Sequence, residues 1–251
     1  MPETMNAEPS ILRELYCQVR TIEPLRPDIS RVWLQIPENC PLSWRPGQYL
    51  MLVLEGAEYP FSIANAPGIP TDGVLELHVR HTDDNAASLE IMAALREGGA
   101  IHVRAPGGER FIGENLPEQP VWFVCGSTGF APAKAMIEAL LSRGFRREIR
   151  LYWGARTQSD LYLPDLPKQW AEQGRIHYQP VLSEEAPTAN MRAGLVHEAV
   201  LQDLETPGEP LFHVGGSPAM VWAVFDALRA AGVPEAHIHS DVLDYAPREG
   251  N

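Results

Sequence analysis

The 251 residues suffice for two ordinary domains or one large one, and an apolar fraction of 45% with a charged fraction of 21% describes a chain that packs a core. A net charge of −13 argues against general affinity for nucleic acid, whose phosphates would repel it, and gives no reason to expect attachment to an anionic membrane surface. Residues 1–10 lack the order of a signal peptide, no apolar run nears the ~20 residues of a membrane span, and three cysteines, Cys17, Cys40 and Cys125, are too few for a four-cysteine iron–sulfur or zinc site, so a cytoplasmic protein in a reducing compartment is expected.

In chain order, the first hundred residues alternate with the period of antiparallel strands. Val32, Leu34 and Ile36 share one face, with Trp33 and Gln35 on the other; Leu75, Leu77 and Val79 are expected inward, with Glu76, His78 and Arg80 outward. Turn residues at 24–28, 37–41, 46–47 and 66–73 separate the runs. One helix is predicted over 87–96, its apolar face carrying Leu89, Met92 and Leu95. Several short strands with a single helix suggest a small barrel.

After Pro106-Gly107-Gly108 the period changes. Strands are predicted at 121–125, 149–153, 176–181, 211–214 and 237–242, alternating with helices at 133–143, 166–173, 196–202 and 219–231. The first of these helices buries Met136, Ile137 and Leu140. Such alternation implies a parallel sheet covered on both faces. The expected domains are residues 1–117 and 118–251, joined through a polar stretch at 115–120. The histidine pairs His78/His81 and His237/His239 lie in or beside strand-like stretches without acidic or cysteine partners in ligand spacing, so they read as polar-face residues and no metal is predicted.

The most informative segment is Val121 to Pro132, in which a buried strand runs into Gly126-Ser127-Thr128-Gly129 and Pro132 falls in the first turn of a helix. Glycines let a backbone approach a phosphate, and free amides at a helix start favour an anion. Taken alone, the segment fits a tight turn without a ligand equally well, and it is not the GxGxxG fingerprint.

Further segments occur in a defined order: Arg45-Pro46-Gly47-Gln48-Tyr49, Tyr59-Pro60-Phe61-Ser62, the glycine loop, Leu151 to Arg156 with Asp160-Leu161-Tyr162, Gly215-Gly216-Ser217-Pro218-Ala219-Met220, and Asp241-Val242-Leu243. In that order they resemble the ferredoxin–NADP reductase superfamily, and within it the small NAD(P)H:flavin reductases, over residues 14–245. The resemblance implies an N-terminal antiparallel flavin-binding β-barrel followed by a C-terminal parallel-sheet α/β domain that binds NAD(P). It implies that Ser62 hydrogen-bonds flavin N5, where hydride arrives, and that Pro60 and Phe61 shape the wall against the isoalloxazine; Phe61 fits a core aromatic equally well. Ile63 and the strand His78-Val79-Arg80 match flavin-contact positions, and Ser88 matches a phosphate contact, although N-capping explains Ser88 too. Gly126, Ser127, Thr128, Gly129 and Pro132 match the pyrophosphate site, and Gly215, Gly216 and Met220 the nicotinamide end.

Three positions depart from the pattern. Tyr59 stands where the family has an arginine that pairs with flavin phosphate, which removes a charged, bidentate donor. Gly215 stands where many relatives carry cysteine, and Tyr245 is not a clear terminal aromatic. The implied cofactors are FAD or FMN, bound or as substrate, with NADH favoured over NADPH because Arg156 is followed by no second basic residue nearby and Asp160 disfavours a phosphate. The implied activity is hydride transfer from the nicotinamide nucleotide to flavin. Two alternatives stay open: a reductase component with tightly bound FAD that serves an oxygenase or other electron-accepting protein, and a non-catalytic nucleotide- or partner-binding module.

Overall fold

The computed structural model describes residues 12–188, 190–206 and 208–246; the expectation for residues 1–10 lies outside these. The first half is a six-stranded antiparallel sheet of β1 (Arg13–Arg26), β2 (Ile29–Gln35), β3 (Tyr49–Leu54), β4 (Ala57–Ser62), β5 (Val74–Arg80) and β6 (Ala100–Gly107), in the order β4-β3-β6-β1-β2-β5. The sheet curls into a barrel, because the chain leaving β4 returns to the opposite edge and Ala64 N donates to Glu76 O of β5 at 2.7 Å. Alternation in β2 and β5 supplies the interior: Val32, Leu34, Leu75, Leu77 and Val79 are fully buried beside Leu15, Cys17, Leu50, Leu52 and Val103.

Helix α1 (Ala86–Glu97) plugs one end through Ser88, Ile91, Met92 and Leu95. The expected face is corrected: Leu89 is 40% exposed, since the 88/91/92/95 spacing follows a 3.6-residue period and a 89/92/95 stripe drifts off it. The expected turn from Pro24 is also shifted, because β1 continues to Arg26 with a bulge between Pro24 and Arg26. Beyond Gln18, β1 pairs only with β2, so a residue lacking an N–H interrupts no second ladder.

The second half holds β7 (Val121–Gly126), α2 (Phe130–Ser142), β8 (Ile149–Ala155), α3 (Asp165–Glu172), β9 (His177–Leu182), β10 (Arg192–Ala193), α4 (Val196–Asp203), β11 (Leu211–Gly215), α5 (Pro218–Ala230), β12 (Ile238–His239) and α6 (Val242–Tyr245). Its strands are all parallel, in the order β10-β9-β8-β7-β11-β12. Both faces are covered, as a continuous apolar run in β7 requires. Val121, Phe123 and Cys125 pack with α2 and Trp170 of α3 on one side, while Trp122 and Val124 pack with Val200 of α4 and Val224 of α5 on the other. The expected last strand is corrected: it ends at His239, and the chain turns into α6, fastened by Trp222 Nε1 donating to Ala246 O at 2.9 Å and by Arg110 pairing with Asp244 at 3.1 Å.

The halves are not independent. Ile29 and Ile112, from the barrel and the connection after it, are buried in the same apolar cluster as β7 and α2. This shared cluster sets the sheet against the outer face of β5.

Leu77→Ala should cost about 2–5 kcal/mol through lost burial and a cavity in the barrel, since Leu77 is fully buried. A lowered urea midpoint with an unchanged slope is the expected readout.

Candidate functional site

Two adjoining cavities lie between barrel and sheet. The larger, about 560 Å³, is walled by Tyr49, Met51, Pro60, Phe61, Ser62, His78 and Arg80 of the barrel, and by Gly126 to Gly129, Pro132, Gly215 and Gly216 of the sheet, with Asp241, Val242 and Tyr245 of the last turn. The smaller, about 310 Å³, is lined by Arg26, Asp28 and Arg80 of the barrel, with Ser127, Gly154, Arg156, Asp160, Ser183 and Met220 of the sheet. Arg80 and Ser127 border both. These volumes are those of sites that take small molecules and cofactors.

The sheet wall is built by close approach of two loops. Gly126 ends β7, residues 127–129 make a single 3₁₀ turn, and α2 starts at Phe130. A Cβ on Gly129 would lie 2.2 Å from the Gly215 carbonyl, and one on Gly126 would lie 2.4 Å from Met220 Sδ. Glycine at 129 and 215 is therefore demanded by backbone packing whether or not a ligand approaches, whereas at 126 only the flexible end of Met220 would have to shift. Ser127 takes a positive φ of 49°, a conformation costing about 1–2 kcal/mol for a residue with a side chain. The first amide of α2, Phe130 N, is taken up by Ser127 O in that turn, and residues 126–129 with Ala131 and Pro132 border the larger cavity at a helix start, where an anion is favoured.

The barrel wall rests on Tyr49. A Cβ on Gly107 would come within 2.5 Å of its ring and one on Gly108 within 3.0 Å, so these glycines let the ring lie flat across the strand end. Beside it stands Asp241. Burial, reinforced by Asp244 and opposed by Arg110, pushes its carboxyl up from the ordinary 3.8 to about 6.

Beneath the larger cavity lies a buried polar cluster. Lys134 of α2 donates to Glu76 Oε2 at 2.7 Å and to Ala64 O at 3.1 Å, and it pairs with Glu138 Oε1 at 2.8 Å. His78 lies 2.9 Å from Glu76 Oε1 through Nε2 and 2.8 Å from Tyr162 Oη through Nδ1. Burial lowers the His78 pKa despite Glu76, so the ring is neutral; the carboxylate fixes the proton on Nε2, and Nδ1 accepts from Tyr162. Burial alone would raise Glu76, but His78 and Lys134 outweigh it and hold the carboxyl below its usual range. Tyr162 is seated edge-on to Trp153 at 5.1 Å, and Trp153 stacks on Phe130 at 4.0 Å.

Of the residues expected at the site, Pro60, Phe61, Ser62, His78, Arg80, Gly126, Ser127, Thr128, Gly129, Pro132, Gly215 and Gly216 meet at the larger cavity. Arg156 and Met220 line the smaller one, with the Met220 thioether packed against Gly126 and Gly216 where the two cavities adjoin. Four residues stand elsewhere. Ile63 and Val79 are fully buried in the barrel interior. Tyr59 packs half-buried on the barrel core, paired with Leu52. Ser88 is not the cap of α1: Asn85 is, and the Ser88 hydroxyl accepts from Thr82 N at 3.2 Å and donates to Asn85 O at 2.8 Å.

The outward, polar-face reading of Glu76 and His78 is corrected as well. Both are buried, because α2 and Tyr162 cover the outer face of β5; only Arg80 is exposed as expected. Sequence reasoning also passed over Lys134, and it gave Tyr49 and Asp241 no role beyond the segments that contain them. The one signal for Lys134 was a charged residue between apolar Ala133 and Ala135 on a helix with a wide buried face.

Asp160, expected to repel a phosphate, is a carboxylate already engaged: Arg26 of the barrel pairs with it and donates to Ser159 O at 2.9 Å, while Thr157 N donates to it at 3.0 Å. Arg26 is in turn held by Asp28 at 3.0 Å. Arg156 keeps only a 3.7 Å contact to Asp160 and its side chain is 66% exposed.

Comparison with known proteins agrees with this geometry. A family model described as an oxidoreductase NAD-binding domain matches residues 123–226. A CDP-6-deoxy-L-threo-D-glycero-4-hexulose-3-dehydrase reductase of Yersinia pestis is 35% identical over 230 residues, spanning 90% of this chain and 68% of that protein. An NAD(P)H-flavin reductase of Vibrio harveyi is 33% identical over 198 residues, spanning 76% of this chain and 82% of that protein. Among solved structures, a ferredoxin reductase in carbazole 1,9a-dioxygenase shares the fold with a TM-score of 0.78 at 24% identity, over 92% of this chain and 70% of that one.

The raised Asp241 pKa carries a sign. Ionising a carboxyl whose folded-state pKa lies above its unfolded value opposes folding, so its contribution is favourable below about pH 4 and is lost as pH rises through about 6. Asp241→Asn should therefore raise the melting temperature by a few degrees, about 2–4 °C, at pH 7.5, and by less at pH 4.5. Thermal unfolding at the two pH values checks it.

Proposed function

Because this chain belongs to the ferredoxin–NADP reductase superfamily, alongside the NAD(P)H-flavin reductases, we propose that it transfers hydride from NADH, or with lower efficiency NADPH, to a flavin that binds and leaves as a substrate. The observation that carries this reading is the meeting of Ser62, on the barrel, with Gly126 to Gly129 and Gly215-Gly216, on the sheet, across one cavity. When bound, the nicotinamide and flavin rings supply the hydride chemistry, and the protein supplies binding and orientation.

The residues present fit those groups. Ser62 would hydrogen-bond the flavin nitrogen that receives hydride, Phe61 and Pro60 would flank the ring, and the amides at the start of α2 would hold the pyrophosphate of the nicotinamide nucleotide. Tyr49 and the α6 turn close the far side and limit water. The smaller cavity would take the adenosine end, between Gly154 and Met220.

Flavin as a released substrate is favoured by Tyr59. That position packs on the barrel core and lines neither cavity, so no cation there holds a flavin phosphate. The second reading, a reductase component passing electrons to another enzyme, is favoured by the likeness to the Yersinia protein, a reductase named for its dehydrase. A protein purified yellow, with stoichiometric FAD, would select it. We place the protein in the cytoplasm and divide its domains at residue 117 in either case.

NADH is favoured because Arg26 is already committed to Asp28 and Asp160, Arg80 sits 3.6 Å from Asp28, and Arg156, the most exposed of the three arginines on that cavity, is left to meet a 2′-phosphate. The expected order is a higher kcat/KM for NADH than for NADPH, and Arg156→Ala should reduce the NADPH value about ten-fold or more while changing the NADH value little, the loss of one charge-assisted contact. A strong NADPH preference in the wild-type protein would overturn the assignment.

Ser62→Ala should leave the fold intact and lower kcat for flavin reduction about 10²-fold, the scale for removing one oriented hydrogen bond at the reacting atoms. Stopped-flow oxidation of NADH with FMN, FAD and riboflavin measures it, and native turnover in that variant would remove Ser62 from the site.

A further inference from the structure

A lysine ammonium buried between two halves of a molecule is costly unless its charge and protons are matched, and here they are. Lys134 reaches from α2 of the sheet to donate to Glu76 and the Ala64 carbonyl of the barrel, while Glu138, one turn along α2, pairs with it at 2.8 Å. Ala64 lies two residues beyond Ser62, and Lys134 lies two residues beyond Pro132 at the mouth of the glycine loop. The contact is thus a short link between the two cavity walls: Ser62 to Ala64, across the ammonium, and back along one turn of α2 to Gly129. The Tyr162–His78–Glu76 chain braces the same carboxylate from the strand side, with His78 itself facing the cavity.

Apolar packing at Ile29 and Ile112 holds the halves together but is non-directional and permits small rotations. Two hydrogen bonds and a close ion pair from one ammonium are directional and restrict the arrangement far more. We infer that Lys134 is a positioning residue, the strut that sets the separation and angle between the barrel wall at Ser62 and the sheet wall at Gly126 to Gly129. This rests on the hydride-transfer reading above and extends it: Lys134 touches neither nucleotide nor flavin and acts through the backbone of both walls.

The test uses the whole protein with Lys134→Met, Glu76→Gln and the double variant. Steady-state kcat and KM with NADH and FMN are measured together with thermal midpoints and amide hydrogen exchange at residues 62–66 and 126–134. Lys134→Met is expected to lower kcat about ten- to a hundred-fold, the scale of an ångström-sized misplacement of reacting groups, with KM for NADH changed less than about two-fold and faster exchange in both segments. The double variant removes the ammonium and the Glu76 charge together and leaves Glu138, whose carboxyl burial already pushes toward its neutral form, so its thermal midpoint should recover in part while kcat stays low. A kcat that recovers in step with the midpoint, or a wild-type kcat in Lys134→Met, would overturn the strut. Should Lys134→Met fail to fold, Glu76→Gln, which keeps volume and hydrogen bonding, carries the same kinetic comparison. Absence of NADH turnover in the wild-type protein with any flavin would sink the functional reading instead, and unchanged exchange in the variants would then overturn the strut independently.

Discussion

Two surfaces that do chemistry together must be held at a fixed separation, and in this protein one buried cation fixes what the apolar seam at Ile29 and Ile112 and the Arg26–Asp160 pair hold together. The Lys134 ammonium satisfies groups from both halves at once, and the low-dielectric setting that makes it expensive to bury also makes its bonds directional and strong. Removing any partner leaves a charge or a carbonyl unpaired in the interior. The arrangement therefore exists in full or is strongly disfavoured, which suits a joint whose purpose is register rather than adhesion.

Around that joint the walls are made rigid by contacts that tolerate no added atoms. The loops at Gly126 to Gly129 and Gly215-Gly216 approach closer than any side chain allows, and the Tyr49 ring lies on Gly107 and Gly108 in the same way. The last turn, α6, is tied down toward its C-terminal end, through Arg110–Asp244 and Trp222–Ala246. A cavity formed by such segments is largely shaped before anything enters it, so little ordering remains to oppose binding.

Most of the architecture was legible in the residues. Alternation in β2 and β5 and the continuous apolar run in β7 announce a barrel and a doubly covered sheet. The glycine loop and Ser62 are local motifs and were found. What escaped depends on tertiary contact alone. Glu76 and His78 fall on the polar phase of β5, and nothing in their neighbours tells that α2 will bury that face. Lys134 resembles any helix lysine until Glu76 is brought against it. Ser88 lies inside the helix rather than at its start because Asn85, three residues earlier, is the cap and accepts from the Ser88 amide. The final strand was overextended because His239 to Val242 keeps strand-like composition while the chain is drawn off the sheet toward the barrel.

Arg26 adds a consequence of a different kind. The charge felt in the smaller cavity is set by an arginine from one half cancelling Asp160 of the other. Nucleotide preference is then not a property that travels with the sheet: a hybrid joining this sheet to a relative's barrel without that arginine would carry an uncovered Asp160 and disfavour phosphate more strongly than the parent. Exchange of modules between such proteins is constrained by paired substitutions at the seam, and the evolutionary unit is the joint as much as either module.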